Sequence, residues 1–125
     1  IWSKKIFPLM YLPITCTMRA TDIWRGMVAL NIMQNDNQTA LFFGTTMFQN
    51  RNIHNLSKDL KDEIPEFKNI HKAYKILKNL KLKKGSKNYS QNLIKSYEAL
   101  IKNRIFKKKE MYFLKSWIKD LKTCI

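Results

Sequence analysis

In the second half of this chain, apolar residues recur three and four positions apart. Phe67, Ile70, Tyr74 and Leu77 form one set, Leu93, Tyr97, Leu100, Ile101 and Ile105 a second, and Met111, Leu114, Ile118, Leu121 and Ile125 a third. A helix places each set on one face, whereas a strand would scatter it over both. The chain is therefore required to pack three amphipathic helices against something. Lys83-Lys84-Gly85-Ser86-Lys87-Asn88 breaks the first from the second. Residues 57–64 add a shorter amphipathic piece that Pro65 is expected to end or kink, because proline has no amide hydrogen to donate. No repeat period and no long heptad run links the helices, so neither a solenoid nor a coiled coil is expected.

The first half reads differently. Residues 7–16 are apolar and β-branched with prolines at 8 and 13, which suits an edge strand or an extended connector. Thr21 or Asp22 can cap a helix whose apolar positions are Ile23, Met27, Leu30 and Val28, and which stops at Asn35-Asp36-Asn37. Residues 40–48, short, aromatic and β-branched, read as a strand with Gly44 as a kink. The expected class is α+β, mainly α by residue count: a few short strands followed by amphipathic helices.

Composition narrows the function. Of 24 basic and nine acidic residues, five and two lie in the first 57, leaving 19 against seven, a net of +12, in the rest. A basic half can face nucleic acid or an anionic membrane. Here the lysines are dispersed, and Arg104 is the one arginine after Arg51. A solvated Lys/Asn/Ile-rich surface therefore explains them better than a surface that reads bases or phosphates in bidentate fashion. No apolar run is long enough for a transmembrane helix, and three glycines make no phosphate-cradling loop. Cys16 and Cys124 are too few for a disulfide scaffold. The start, Ile1-Trp2-Ser3, has no Met and no signal-peptide core, so the chain reads as a piece of a longer protein in a cytoplasmic or membrane-peripheral setting.

Two stretches carry chemistry. In Met18-Arg19-Ala20-Thr21-Asp22-Ile23-Trp24-Arg25, an acid opens a helix with an arginine three residues to either side. The helix dipole favours its ionised form, which leaves an oxygen able to take a proton or a hydroxyl hydrogen bond. A plain cap paired with arginine is the competing reading. In Asn50-Arg51-Asn52-Ile53-His54-Asn55, one histidine lies among amides, open to a role as metal ligand, phosphate contact or surface residue. Trp24 is a core aromatic or a surface on which a sugar stacks.

Leu12-Pro13-Ile14-Thr15 with Arg19-Ala20-Thr21-Asp22-Ile23-Trp24-Arg25-Gly26, followed by Gln49-Asn50-Arg51-Asn52-Ile53-His54-Asn55 and Asp59-Leu60-Lys61-Asp62-Glu63-Ile64, resembles the STELLO-like family of glycosyltransferases. A more distant likeness runs to the reversibly glycosylated polypeptides, which are nucleotide-sugar mutases. The resemblance implies the C-terminal, acceptor-side part of a GT-A-like α/β domain over residues 1–64, with 65–125 a lysine-rich helical extension packed on it. It implies transfer of a sugar from a nucleotide-sugar donor to an acceptor hydroxyl. Asp22 would be the base or the acceptor-orienting group. Arg19, Trp24, Arg25, Arg51 and Asn52 would contact substrate or phosphates, and His54 would hold a divalent metal, Mn or Mg. Donor binding would belong to residues upstream, leaving the piece inactive alone. The alternative is a non-catalytic basic helical module that binds nucleic acid, an anionic membrane or a protein.

Overall fold

The computed structural model describes residues 2–50, 53 and 55–124. Every regular element among them is helical: α1 (Thr21–Asn35), α2 (Leu56–Lys78), α3 (Tyr89–Lys102) and α4 (Glu110–Cys124). Short 3₁₀ turns lie at Lys4–Leu9, Met18–Ala20 and Ser86–Asn88.

The α+β expectation is thereby corrected to all-α, and the GT-A-like α/β class goes with it. Residues 40–48 have strand composition and no strand: Leu41, Phe42, Phe43, Met47 and Phe48 are all exposed. A strand is stable only when a second backbone completes its ladder, and the rest of the described chain is helical and offers no such edge. At the N-terminus Pro8 sits inside the 3₁₀ turn Lys4–Leu9 rather than in an extended edge, since its fixed φ suits a helical turn as well as a strand.

Two helical registers also differ from the periodic reading. On α1 the buried face is Trp24, Val28, Ala29, Ile32 and Met33, while Ile23 points outward. On α2 the buried residues are Glu66, Ala73 and Leu77, while Phe67 and Tyr74 are more than half exposed. The helix also runs through Pro65 instead of ending there, with Asn69 Nδ2 donating to the Pro65 carbonyl at 2.7 Å.

The core forms around α3, which packs against α1, α2 and α4. Its buried residues Leu93, Tyr97 and Leu100 meet Val28 and Ile32 of α1, Leu77 of α2 and Leu114 of α4 in one cluster. An aromatic chain threads that cluster. Tyr11 stands edge-on to Tyr97 at 5.4 Å, Tyr97 lies 5.3 Å from Phe106, and Phe106 meets Trp24 at 5.4 Å. Such offset contacts add about 1 kcal/mol each beyond burial. At the far end of α1, Asp36 accepts from the Gly85 amide (2.6 Å) and the Tyr89 hydroxyl (2.8 Å), tying α1 to the start of α3. These two donors hold its carboxyl below the usual range. Gly85 has φ +93°, a value a side chain would strain.

Candidate functional site

Where the N-terminal connector passes α1 and α2, it leaves a cleft of about 360 Å³, within the range of small-molecule sites. Trp24 lines it from α1, and Asp62, Glu66 and Asn69 from α2, one face of that helix at spacings of four and three. Thr15, Cys16 and Thr17 line it from the connector, and Lys107 from the α3–α4 turn.

A buried acid fixes the connector side. Glu110, in the first turn of α4, is fully buried and accepts from the Tyr11 hydroxyl and from the amides of Ile14 (3.0 Å) and Thr15 (2.7 Å). Three donors and a helix N-terminus together compensate for the lost hydration of the charge. Thr17 completes the attachment by donating its hydroxyl to the Asp62 carbonyl at 2.9 Å. Cys16 donates to the Pro13 carbonyl (3.5 Å), and burial raises its thiol to about 11, so the sulfur is protonated at neutral pH and no nucleophile.

Glu66 is the opposite case. It is 4% exposed, and its Oε1 is buried with no hydrogen-bond partner among the described residues. Burial first, then the charges of Glu63 and Asp22, push its carboxyl up to about 7. A buried carboxyl oxygen without a partner carries a desolvation penalty that no hydrogen bond from the described residues offsets.

The residues singled out in the sequence divide into three groups. Asp22 lies in the first turn of α1, exposed, with Oδ1 accepting from the Ile23 amide at 3.0 Å. It makes no capping bond and, among the described residues, no ion pair. Arg19 instead clamps α2: its guanidinium meets Asp59 at 2.8 Å and Glu63 at 3.3 Å, two acids one turn apart. Trp24 is 3% exposed, so its ring gives the cleft an apolar backing rather than an open stacking face. Arg25 keeps its Nε buried, with no hydrogen-bond partner among the described residues. Arg51, Asn52 and His54 lie outside the described residues.

A family model of the STELLO glycosyltransferases matches residues 19–125. This chain belongs to the STELLO glycosyltransferase family. No curated protein and no solved structure matches it.

The STELLO match takes in all four helices and, at its first residue, the arginine that clamps α2. No group of three His, Cys, Asp or Glu side chains among the described residues could hold a metal ion. His54, the residue to which the resemblance assigns a divalent ion, lies outside the described residues, and the chemistry below routes no step through one.

Periodicity missed Glu66 for a physical reason. Reading apolar residues as the buried face of α2 selects Phe67 and Tyr74, and the helix is rotated one residue from that register. The available signal was Asp62, Glu66 and Asn69 recurring at helical spacing, a polar stripe in phase with Ala73 and Leu77.

Proposed function

We propose that this STELLO chain forms the acceptor-binding part of a sugar transferase, with the acceptor hydroxyl seated in the cleft between the connector and α2. One observation carries the reading. In a chain of net charge +15, five of the nine acids gather here: Asp62 and Glu66 line the cleft, Asp59 and Glu63 hold Arg19 beside it, and the charge of Asp22 reaches Glu66. Carboxylates accept hydrogen bonds from sugar hydroxyls and repel a diphosphate. The cleft therefore suits a neutral polyol acceptor and not the nucleotide end of the donor. Asn69 and the hydroxyls of Thr15 and Thr17 add a mixed donor and acceptor lining, with Trp24 behind them.

In this reading Asp22 orients the acceptor from the open end of α1. Arg25, Arg51 and Asn52 are the candidates for the donor's phosphates, and His54 for a divalent ion beside them. Donor binding lies largely outside these residues, so the chain alone binds acceptor without turnover. Titration of the ¹⁵N-labelled chain with neutral saccharides tests this. The expected shifts fall on the Trp24 indole, the Asn69 side-chain amide and the amides of 15–17, and a nucleoside diphosphate leaves those resonances in place. Saccharides that move only resonances elsewhere, or none, would refute the assignment.

A further inference from the structure

We propose that Glu66 is the catalytic base of the transfer, its carboxyl group in the cleft wall taking the proton of the attacking acceptor hydroxyl. The proposal rests on the acceptor reading of the cleft and adds to it the group that moves the proton. As the acceptor O–H bond breaks, its electron pair forms the new bond to the donor's anomeric carbon. The bond from that carbon to the diphosphate oxygen breaks, and its pair leaves with the nucleoside diphosphate. The proton ends on Glu66 and is later released to solvent.

Geometry selects Glu66 among the acids of the site. Asp59 and Glu63 are engaged by the Arg19 guanidinium, and neither lies free in the cleft wall. Asp22 is exposed, and water and the Ile23 amide already solvate its charge. Glu110 lines no part of the cleft, and its oxygens are occupied by Tyr11, Ile14 and Thr15. Among the described residues, Glu66 alone of the acids combines near-complete burial, an oxygen with no hydrogen-bond partner and a place in the cleft wall. A small rotation of the Glu66 side chain brings an oxygen into the cleft, where an acceptor hydroxyl can bond it and relieve part of the penalty of burying this acid.

The surroundings tune the same group. Asp62 and Glu63 share its helix, Asp22 faces it from α1, the protonated Cys16 thiol flanks the cleft from the connector, and Lys107 lies at the rim from the α3–α4 turn. The net result is a carboxyl titrating at about 7, which is ionised often enough at neutral pH to accept a proton and basic enough to hold it. Lys107 is the one cation among the described residues of the lining.

The test compares wild type, Glu66→Gln and Glu66→Asp in the full-length protein, with saccharide binding measured on the chain as above. The expected result is a fall in kcat of about 100-fold or more for the glutamine variant, while the acceptor KM stays near the wild-type value. The wild-type rate should rise through an apparent pKa near 7. That limb should vanish in the glutamine variant and return with partial activity in the aspartate variant. The ¹³C resonance of the Glu66 carboxyl in the chain itself should titrate over the same range. A glutamine variant that keeps its rate and pH limb, or that loses rate only in proportion to lost acceptor binding, overturns the assignment of the base while leaving the cleft as an acceptor site. Absence of saccharide binding in wild type removes the acceptor reading and the base together.

Discussion

A single side chain, Glu66, sets function against stability in this protein. Its carboxyl binds a proton more tightly in the folded chain, at about 7, than the ordinary glutamate value of 4.5. Between those two values the native state holds more protons than the unfolded one, so unfolding free energy falls as pH rises. The loss begins near the ordinary glutamate value and is complete once pH exceeds the folded value. It amounts to on the order of 3 kcal/mol at most. Glu66→Gln keeps the shape and cannot ionise. The expected outcome is a variant with a thermal midpoint above that of wild type at pH 8 and close to it at pH 5, read by circular dichroism at both. Equal midpoints at pH 8 would show that Glu66 ionises without penalty. Asp36 tilts the opposite way: its lowered carboxyl contributes stability above the ordinary range, lost as pH falls into acid. Wild type should thus be most stable between these two titrations.

At the scale of elements, residue chemistry and neighbour geometry explain different parts of the structure. Helical spacing alone locates the stretches that become α2, α3 and α4, because period 3.6 is a local property of the chain. The Asn55 cap of α2, its Oδ1 accepting from the Lys58 amide at 3.1 Å, is of the same local kind. Which face turns inward is not local. Phe67 outranks Glu66 on any hydropathy scale, yet α2 buries Glu66 because the connector, through Thr17 and Asp62, holds that side of the helix against it. Residues 40–48 fail as a strand for the related reason that pairing needs a partner no local pattern supplies. Pro65 shows the same contest inside one helix. It sits in the tenth position of α2, where it removes one backbone hydrogen bond and crowds the preceding turn, an arrangement that costs about 3 kcal/mol in a helix interior. Restoring the amide with Pro65→Ala should raise the unfolding free energy by about 2 kcal/mol, the remainder being offset by a more flexible unfolded chain. Urea denaturation measures it. A fall in stability instead would mean that the ring's contacts at the cleft outweigh the missing hydrogen bond.

For the molecule as a whole, charge is the dominant long-range term. Net +15 on 125 residues puts like charges close together over most of the surface, and the compact state suffers this repulsion more than the expanded one. The favourable ion pairs described, Arg19 with Asp59 and Glu63, are local to the cleft and partly exposed, and such pairs contribute about 0–1 kcal/mol. Self-repulsion therefore outweighs pairing in the balance. The Debye length shrinks from about 30 Å at 0.01 M salt to about 8 Å at 0.15 M, which screens lysines across the surface far more than a pair 2.8 Å apart. Stability should accordingly rise with sodium chloride over that range, and the thermal midpoint should climb by several degrees before levelling off. Saccharide binding at the cleft, which involves a neutral ligand, should stay nearly constant over the same range. This separates the sugar reading from the basic-module alternative, in which the physiologically relevant ligand is a polyanion whose affinity drops steeply with salt and maps to the lysines beyond Lys58. A thermal midpoint that falls on adding salt would show that attraction around Arg19, rather than repulsion among the lysines, governs the electrostatics of this chain.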